Sequence, residues 1–477
     1  MKRPKTTDEY LIEPELKVSL HGIEFPLEYL YRGLLAVGQP GSGKTRCVLM
    51  PLVREILRTT GNDPLTKCGL VVADPKNELA SFLVDAAKEV GREEDVIVLK
   101  PGSAYYNPLA SPFLSATEVV EKIISWANNT HRNGSHRSRG DEMFWANAQR
   151  SLLAALVATA RAIHGVVDFK ILNETMERIN MYRSIGEANK WLRDYPVPES
   201  ARKGISDYLA LPSNETRPCV QASASNALYF WRHEPLAQLV TPSDSLPAID
   251  PIDILHHGKI LVIGCSGAAF GASITPFLLA LKEHFFTALL SRDQIEVSHG
   301  DQWNLVNQTR PIFLIADEFQ SYVSTDPSTG ELMALDRLRG FKTGYIAATQ
   351  NLASIHSVLG GADHASRLIS LFSNQIYLAN ICPYAAQQVE FLMGKRKVKE
   401  RQLRQHAPIA PPLLIKHDAW RRRKSTSKDA IIVTREVPRV DASTLSALRT
   451  GEFWFRIANG KVVKGKSVHP HSINPKT

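Results

Sequence analysis

Short runs of consecutive apolar residues recur along the chain, and each has the length of a β-strand. The runs lie at 33–37, 69–73, 95–99, 259–264, 312–316, 344–348 and 375–379. Their apolarity is continuous rather than alternating, which is typical of parallel strands that helices cover on both faces. Stretches with helical periodicity, such as 45–59 and 78–90, lie between them. The pattern therefore predicts an α/β fold with a doubly wound, mainly parallel sheet.

Between about residues 113 and 247 the strand pattern disappears, and successive helical segments replace it. These segments cover 116–130, 144–165, 174–195 and 220–233. We therefore expect an all-α domain inserted into the sheet domain. Strand patterns return after residue 430, where Asn459-Gly460 is a hairpin signal, and predict a small β-rich appendage on the core.

These changes of pattern divide the chain into six segments. They are an N-terminal segment (1–32), the first part of the core (33–112), the helical insertion (113–247), the second part of the core (248–394), a basic segment (395–429) and C-terminal strands that complete the core (430–477).

One uncharged stretch, 260–281, is long enough to be considered as a membrane span. It begins with β-branched residues, continues with small residues and then takes up helical periodicity, so we interpret it as a buried strand followed by a helix. The charged N-terminal residues are not followed by an apolar segment. Neither a secretory signal nor an N-terminal membrane anchor is therefore expected.

The composition adds limits on the class of protein. With 477 residues, 44% hydrophobic and 22% charged, the chain is an ordinary globular protein of two or three lobes. Its five cysteines are isolated in the sequence and form no CxxC pair. This excludes a zinc knuckle or a disulfide framework and favours a reducing cytosol.

The net charge of +9 is concentrated in one segment. Residues 395–428 contain twelve Lys and Arg residues and only two acidic ones. Such a block is either a solvated, flexible segment or a binding surface for a polyanion. Its candidate nucleic-acid contacts are Lys395, Arg396, Lys397, Arg421, Arg422 and Arg423. If this segment does not bind nucleic acid, the next candidates for contacts with it are Arg132, Arg137 and Arg139 in the helical insertion.

A glycine-rich loop fits the phosphate-binding pattern G-x-x-x-x-G-K-[ST]. It consists of Gly38, Gln39, Pro40, Gly41, Ser42, Gly43, Lys44 and Thr45. Because it follows a strand and precedes a helix, its backbone N–H groups would surround phosphate oxygens. We expect Lys44 to reach the β- and γ-phosphates of ATP and Thr45 to bind Mg²⁺. The alternative is a glycine turn with a solvent-exposed lysine.

A second motif is the acidic end of the strand at 312–316. Asp317 and Glu318 follow it and would lie at the carboxyl edge of the sheet, where ligands bind. We expect Asp317 to hold Mg²⁺ through water and Glu318 to act as general base on the attacking water. Two acids that cap the following helix are the alternative.

Two further positions are candidates for the same chemistry. Thr349 and Gln350 follow the strand at 344–348, where Gln350 can sense the γ-phosphate. Arg339, ahead of Arg337, is the candidate for an arginine that completes the site of a neighbouring subunit. A turn-capping Thr-Gln pair and ordinary surface arginines are the alternatives.

Six stretches together resemble the type IV secretion coupling proteins, the TraG/TraD family of conjugation ATPases. They are VVADPKNELA (71–80), YNPLASPF (106–113), FWANAQRSLLAAL (144–156), IADEFQ (315–320), ATQN (348–351) and SNQIYLANICPYAAQQVEFLMG (373–394). Asp74, Lys76 and Glu78 match the family's DPKGEL, and Asn77 replaces its usual glycine. The family order is preserved over roughly residues 33–460.

The resemblance implies a hexameric ring of RecA-like P-loop NTPase cores that uses ATP and Mg²⁺, with Asp74 at the nucleotide. Such a ring receives relaxase-bound DNA and feeds it to a type IV secretion channel at the inner face of the bacterial cell membrane. Family members usually begin with transmembrane helices, whereas the segment 1–32 has no apolar stretch of that length. A separate membrane-anchoring subunit would then hold a cytoplasmic, peripheral ring.

Three other functions stay open at this point. The ring could move effector proteins, or it could be a HerA- or FtsK-like DNA translocase unrelated to secretion. A nucleotide-gated relaxase receptor that hydrolyses little is the third, and Glu318 argues against it.

Overall fold

The computed structural model describes residues 16–110, 114–130, 141–265, 267–292, 310–324, 330–403 and 430–467. Its strands are β1 (Lys17–Leu20), β2 (Ile23–Pro26), β3 (Leu34–Val37), β4 (Gly69–Ala73), β5 (Val96–Leu99), β6 (Ile260–Ile263), β7 (Ile312–Ala316), β8 (Thr343–Thr349), β9 (Asn374–Tyr377), β10 (Lys395–Leu403), β11 (Ala430–Pro438), β12 (Glu452–Arg456) and β13 (Val462–Lys466).

In the described part of the chain, nine strands form the central sheet, in the order β13-β12-β9-β3-β8-β7-β4-β6-β5. From β9 to β5 every neighbouring pair is parallel, whereas β12 pairs with both β9 and β13 in antiparallel fashion. The parallel strands are the seven predicted from the continuous apolar runs. The α/β fold class with a mainly parallel sheet is thereby confirmed.

Helices cover both faces of this sheet and also form a separate group between β5 and β6. Those that flank the sheet are Met50–Thr60, Leu79–Glu89, Pro251–His257, Ile274–Leu290, Glu331–Leu338, Leu352–Val358, Ala362–Ser370 and Pro383–Met393. Those of the separate group are Ala116–Thr130, Asp141–His164, Phe169–Met181, Ile185–Leu192, Glu199–Ala210, Thr216–Ala227 and Leu236–Val240. The described residues also include two short helices, Gly267–Phe270 and Ala442–Ser446.

The chain leaves and re-enters the sheet domain at adjacent points. Tyr105 and Ala248 form a parallel bridge, and the Tyr105 amide donates to the Pro247 carbonyl (3.1 Å). The helical group is therefore an insertion whose two connections lie side by side.

The uncharged stretch 260–281 consists of β6, the short helix Gly267–Phe270 and the start of the helix Ile274–Leu290. This helix is buried along most of its length beneath the insertion. Among the described residues, no single helix is long and apolar enough to cross a membrane. Two consecutive helices, 144–164 and 169–181, are bent by 106° relative to each other. Only when taken together are they long and apolar enough for a membrane span.

The sheet divides the interior into two cores. One lies between the sheet and the helices Met50–Thr60 and Leu79–Glu89, and it includes the N-terminal hairpin of β1 and β2. The other runs without interruption from the opposite face of the sheet into the helical insertion. The insertion thus shares its hydrophobic core with the sheet domain.

The C-terminal strands follow two different paths. β12 and β13 extend the central sheet beside β9, whereas β10 and β11 pair with each other as a nine-residue antiparallel ribbon and, among the residues described, with no other strand. The first nine residues of the basic segment therefore form a strand.

Candidate nucleotide site

The glycine-rich loop leaves the centre of the sheet at the end of β3. Backbone bonds fix it to its neighbours, because the Gly38 amide donates to the Thr349 carbonyl (3.2 Å) and the Gln39 amide to the Ala379 carbonyl (2.9 Å). Gly43 has φ +100°, and a Cβ atom there would lie 2.7 Å from the Cys47 sulfur. Only glycine fits this position, so the loop has the tight backbone curl that phosphate binding needs.

Lys44 folds back over this loop. Its Nζ donates to the Gly38 carbonyl (2.7 Å), and the side chain is buried. Burial lowers the pKa of Lys44, although the nearby carboxylates of Glu318 and Asp317 act to raise it. A phosphate in the loop would give this buried ammonium an anionic partner in place of a carbonyl.

Thr45 and Asp317 meet at the carboxyl edge of the sheet. The Thr45 hydroxyl donates to Asp317 Oδ2 (2.8 Å), and Asp317 is fully buried. Burial raises the pKa of Asp317, against the opposing effect of the Thr45 hydrogen bond. Hydroxyl and carboxylate oxygens are ligands that Mg²⁺ prefers, and a bound cation would offset the burial of the carboxylate. The pair therefore fits a magnesium ion.

The described residues contain no group of three or more His, Cys, Asp or Glu side chains that could hold a metal ion. Magnesium sites in nucleotide-binding proteins need only one or two carboxylates, with the substrate phosphates and water supplying the other ligands. Thr45 and Asp317 match that modest requirement.

Glu318 follows Asp317 in a left-handed backbone conformation, with φ +51°. Its carboxylate accepts hydrogen bonds from Gln350 Nε2 on both oxygens (2.7 and 2.8 Å) and from Gln320 Nε2, and it forms an ion pair with Lys76. Burial acts to raise the pKa of Glu318, but the hydrogen bonds from Lys76, Gln350 and Gln320 outweigh it and lower the pKa. The carboxylate is therefore ionised at neutral pH.

Asp74 lies in the turn after β4, the strand next to β7 in the sheet. It is buried and accepts hydrogen bonds from the Lys76 amide (3.1 Å) and the Leu79 amide. Burial raises the pKa of Asp74 in spite of these bonds. In this structure Asp74 shapes the turn, and its contact with a nucleotide stays a prediction.

Arg337 and Arg339 are exposed and lie at the other edge of the sheet. They precede β8, whereas Gln350 follows its carboxyl end. A strand of this length spans roughly 20 Å. The two arginines are therefore outside the reach of their own chain's glycine-rich loop.

The predicted nucleic-acid contacts fall in two groups. Lys395, Arg396 and Lys397 are exposed at the start of β10. Arg421, Arg422 and Arg423 lie outside the described residues, as do Arg132, Arg137 and Arg139.

Sequence reasoning missed two contacts of Glu318. The sequence points to Lys76 only through the family's DPKGEL motif, and it predicts no role for Gln320. The Thr349 hydroxyl also donates to Gln320 Oε1 (2.7 Å), which orients this second amide. Their positions in the sequence could have indicated these contacts, because Lys76 and Gln320 each closely follow the end of a central strand.

A chain of buried polar contacts links this site to the helical insertion. The Tyr322 hydroxyl donates to the Asp317 carbonyl (2.8 Å), and Lys282 binds both the Tyr322 carbonyl and Glu331. The remaining links are from Ser324 N to Glu331 (2.8 Å), from Ser324 Oγ to Glu283 (2.9 Å) and from Trp126 Nε1 to Glu283 (2.8 Å). Trp126 belongs to the first helix of the insertion.

Comparison with known proteins supports the same family. Residues 29–245 match the family model described as type IV secretory system conjugative DNA transfer. A search among curated proteins finds no match to the chain. The family model thus supports the resemblance over residues 29–245, which contain the glycine-rich loop and the stretches 71–80, 106–113 and 144–156.

Solved structures with the same fold include the bacterial conjugative coupling protein TrwBdeltaN70 in its unbound monoclinic form. It is 17% identical, with a TM-score of 0.61 over 96% of this chain and 90% of that one. TrwB in complex with ADP and Mg²⁺ is 16% identical, with a TM-score of 0.59 over 97% and 91% of the two chains. TrwB with the non-hydrolysable ATP analogue ADPNP is 15% identical, with a TM-score of 0.59 over 96% and 91%.

Proposed function

We propose that this chain, whose residues 29–245 match the conjugative DNA transfer family of type IV secretory systems, is an ATP-hydrolysing motor that drives DNA into a secretion channel. One observation carries the proposal. Thr45 of the glycine-rich loop and Asp317 at the end of β7 share a 2.8 Å hydrogen bond, and Lys44 is buried beside them. This is the arrangement that a nucleotide triphosphate with Mg²⁺ requires.

The residues of this site have distinct roles in hydrolysis. The loop amides and Lys44 bind the phosphates, and Thr45 with Asp317 would hold Mg²⁺, which neutralises charge on the β- and γ-phosphate oxygens. Glu318 is ionised and accepts a proton from the attacking water. Gln350, hydrogen-bonded to Glu318, orients that carboxylate toward the γ-phosphate.

The proposed assembly is a homo-hexameric ring. The position of Arg339 supports it, because an exposed arginine beyond reach of its own site is free to act on a neighbour's. The ring would take DNA from a bound relaxase and pass it to the type IV secretion channel. It would lie at the inner face of the cell membrane, attached to a membrane-anchoring subunit.

The test of hydrolysis compares two variants. Lys44→Ala removes a charge-assisted phosphate contact and should weaken ATP binding by roughly 10- to 100-fold. Glu318→Gln should retain ATP binding and lower turnover by at least about 100-fold, since loss of a general base removes that much rate. Binding is measured with a fluorescent ATP analogue and turnover by phosphate release. Turnover in Glu318→Gln close to that of the parent would reject the assignment.

The cargo is tested separately. Basic residues on β10 favour DNA over effector proteins, so single-stranded or duplex DNA should stimulate phosphate release by the parent chain. Stimulation by an effector protein but not by DNA would favour the protein-cargo alternative. Equal stimulation by plasmid DNA with and without a bound relaxase would favour a HerA- or FtsK-like translocase.

A further inference from the structure

We propose that Lys76 is a positioning residue that holds the Glu318 carboxylate in a restrained position until ATP binds. The inference rests on the proposed function and concerns the control of hydrolysis at that same site.

The strand order brings Lys76 to Glu318. β4 and β7 are neighbours, and Ala73 at the end of β4 lies opposite Ala316 at the end of β7. Lys76 is three residues beyond Ala73, and Glu318 is two residues beyond Ala316. The two side chains therefore meet above adjacent strand ends.

The turn that carries Lys76 is fixed by its own hydrogen bonds. Asp74 is buried and accepts from the amides of Lys76 (3.1 Å) and Leu79. Asn77 adopts a left-handed conformation, with φ +57°, which turns the chain back toward the following helix. A rigid turn limits the directions that the Lys76 side chain can take.

The carboxylate of Glu318 is saturated in this arrangement. Oε1 contacts Lys76 and Gln350, and Oε2 contacts Gln350 and Gln320. A carboxylate has about four acceptor positions, two on each oxygen. A general base needs one of them to take a proton from water. At least one of these contacts must therefore break before hydrolysis.

Lys76 is the partner best suited to leave. Its side chain is 40% exposed, whereas that of Glu318 is 8% exposed. Gln320 is also held by Thr349, so its release would cost a second hydrogen bond. Lys76 contacts Glu318, and the adjacent Asp317 accepts a hydrogen bond from Thr45 of the glycine-rich loop (2.8 Å), so the Lys76 ammonium lies on the side of the site that faces the loop. A γ-phosphate bound at Lys44 would attract this ammonium and free Oε1.

The test is steady-state ATP hydrolysis by Lys76→Met, which keeps an unbranched apolar side chain one atom shorter and removes the charge. Loss of the restraint should raise kcat two- to five-fold, the range expected for a partly exposed ion pair, and change KM by less than two-fold. Lys76→Arg keeps the charge and should return kcat to the restrained rate. Lys76→Gln serves as a second neutral variant if the Met variant folds poorly.

Two controls separate this effect from others. Lys88→Met removes an exposed lysine that pairs with Glu93 on the surface, and it should leave kcat unchanged. The double variant Lys76→Met/Glu318→Gln should lose turnover, because the gain passes through Glu318. A kcat in Lys76→Met equal to or below that of the parent would overturn the inference, as would a gain that persists in the double variant.

Failure of the inference differs from failure of the proposed function. A parent chain that binds ATP but releases no phosphate under any condition contradicts the proposed function. A parent chain that hydrolyses ATP, with no faster neutral variant at residue 76, contradicts only the role of Lys76.

Discussion

Asn77 and Glu318 are both non-glycine residues with a left-handed backbone, at φ +57° and +51°. They follow the ends of the neighbouring strands β4 and β7. Asparagine tolerates this conformation better than most residues, which explains how it replaces the glycine that the family uses. Glutamate does not share that tolerance, and such strain is typical of residues that a reaction requires in one orientation.

The backbone at residue 77 gives a test of stability. Asn77→Ala should lower the free energy of unfolding by about 1 kcal/mol, because alanine lacks the local polar contacts that ease a left-handed conformation. Asn77→Gly should change it by less than about 0.5 kcal/mol, since glycine accepts this φ but gains freedom in the unfolded chain. Urea unfolding measures both. An alanine variant as stable as the glycine variant would contradict the argument.

For individual residues, the sequence predicted which side chains lie at strand ends, but it did not predict all of their hydrogen-bond and ion-pair partners. Lys44, Asp317, Glu318 and Gln350 follow from motifs and apolar runs, and the structure brings them together. The contact of Lys76 with Glu318 depends on β4 lying beside β7. Periodicity locates strands and carries no information on their order.

The ribbon of β10 and β11 divides the basic residues between two faces. Alternate residues of a strand point to opposite sides, so Lys395, Lys397 and Lys399 share one face and Arg396 lies on the other. Arg435 on β11 pairs with Glu400 at 3.6 Å. In the register, Arg435 lies opposite Val398, on the same face as Arg396. The lysine face carries three lysines against one carboxylate, that of Glu436 opposite Lys397, whereas Arg396 and Arg435 share their face with Glu400. The lysine face is therefore the one better suited to a phosphate backbone.

Charge reversal on this ribbon tests DNA binding. Lys395→Glu/Lys399→Glu should weaken affinity for single-stranded DNA of any sequence and reduce the slope of log affinity against log salt by roughly 1.4, or about 0.7 for each lost contact. Arg435→Glu, on the opposite face, should leave the slope unchanged. Fluorescence anisotropy across a salt series measures it. If the lysine variant keeps the slope of the parent chain, as Arg435→Glu should, then other residues bind DNA. The charges of Arg421, Arg422 and Arg423 would be the next to reverse.

The first strand of this ribbon, β10, was not predictable from its own sequence, whereas β11 lies in the stretch after residue 430 that has a strand pattern. Residues 395–403 read as a charge block, and the interpretation left a solvated segment and a binding surface open. None of residues 395–400 of β10 is buried, so this strand lacks the alternation of apolar and polar residues that identifies a half-buried strand. The central strands are recognisable because helices bury both of their faces, which requires a continuous run of apolar residues.

Over the whole molecule, the nucleotide site and the helical insertion are joined by buried charges. Lys282, Glu283 and Glu331 are buried at the junction, and burial raises the pKa of Glu283 despite the nearby Lys122 and Lys282. Buried polar groups have strict hydrogen-bonding requirements, so this junction has few alternative arrangements. A movement of Asp317 would reach the insertion through Tyr322.

The proposed ring is tested by mixing subunits. Arg339→Ala should hydrolyse ATP poorly alone, because each site would lack the arginine of its neighbour. Mixed with Lys44→Ala, it should regain part of the activity, since some interfaces then combine an intact loop with an intact arginine. Phosphate release is measured over a range of mixing ratios. Absence of recovery in rings shown to contain both subunits would count against a role in trans.

The helical content of the insertion was predictable from the sequence, whereas the packing of the insertion on the sheet was not. Loss of the strand pattern between about 113 and 247 indicated the insertion, and every regular element described there is a helix. The insertion and the sheet share one core because the helix Ile274–Leu290 packs against both of them, with a different face toward each. That helix is apolar on nearly all sides, so its sequence does not distinguish them.

The turn before β12 supports the glycine-rich loop from the far end of the chain. The Gly451 amide donates to the Ser42 carbonyl (3.1 Å), and Ser467 in turn donates to the Gly451 carbonyl (2.8 Å). About 400 residues separate loop and support, so at roughly 5–20 residues per second the loop leaves the ribosome some 20–80 s earlier. During synthesis the nucleotide site is therefore incomplete until its last strands have been translated, and a nascent chain carries a phosphate loop without the backbone contact that holds it in the finished protein.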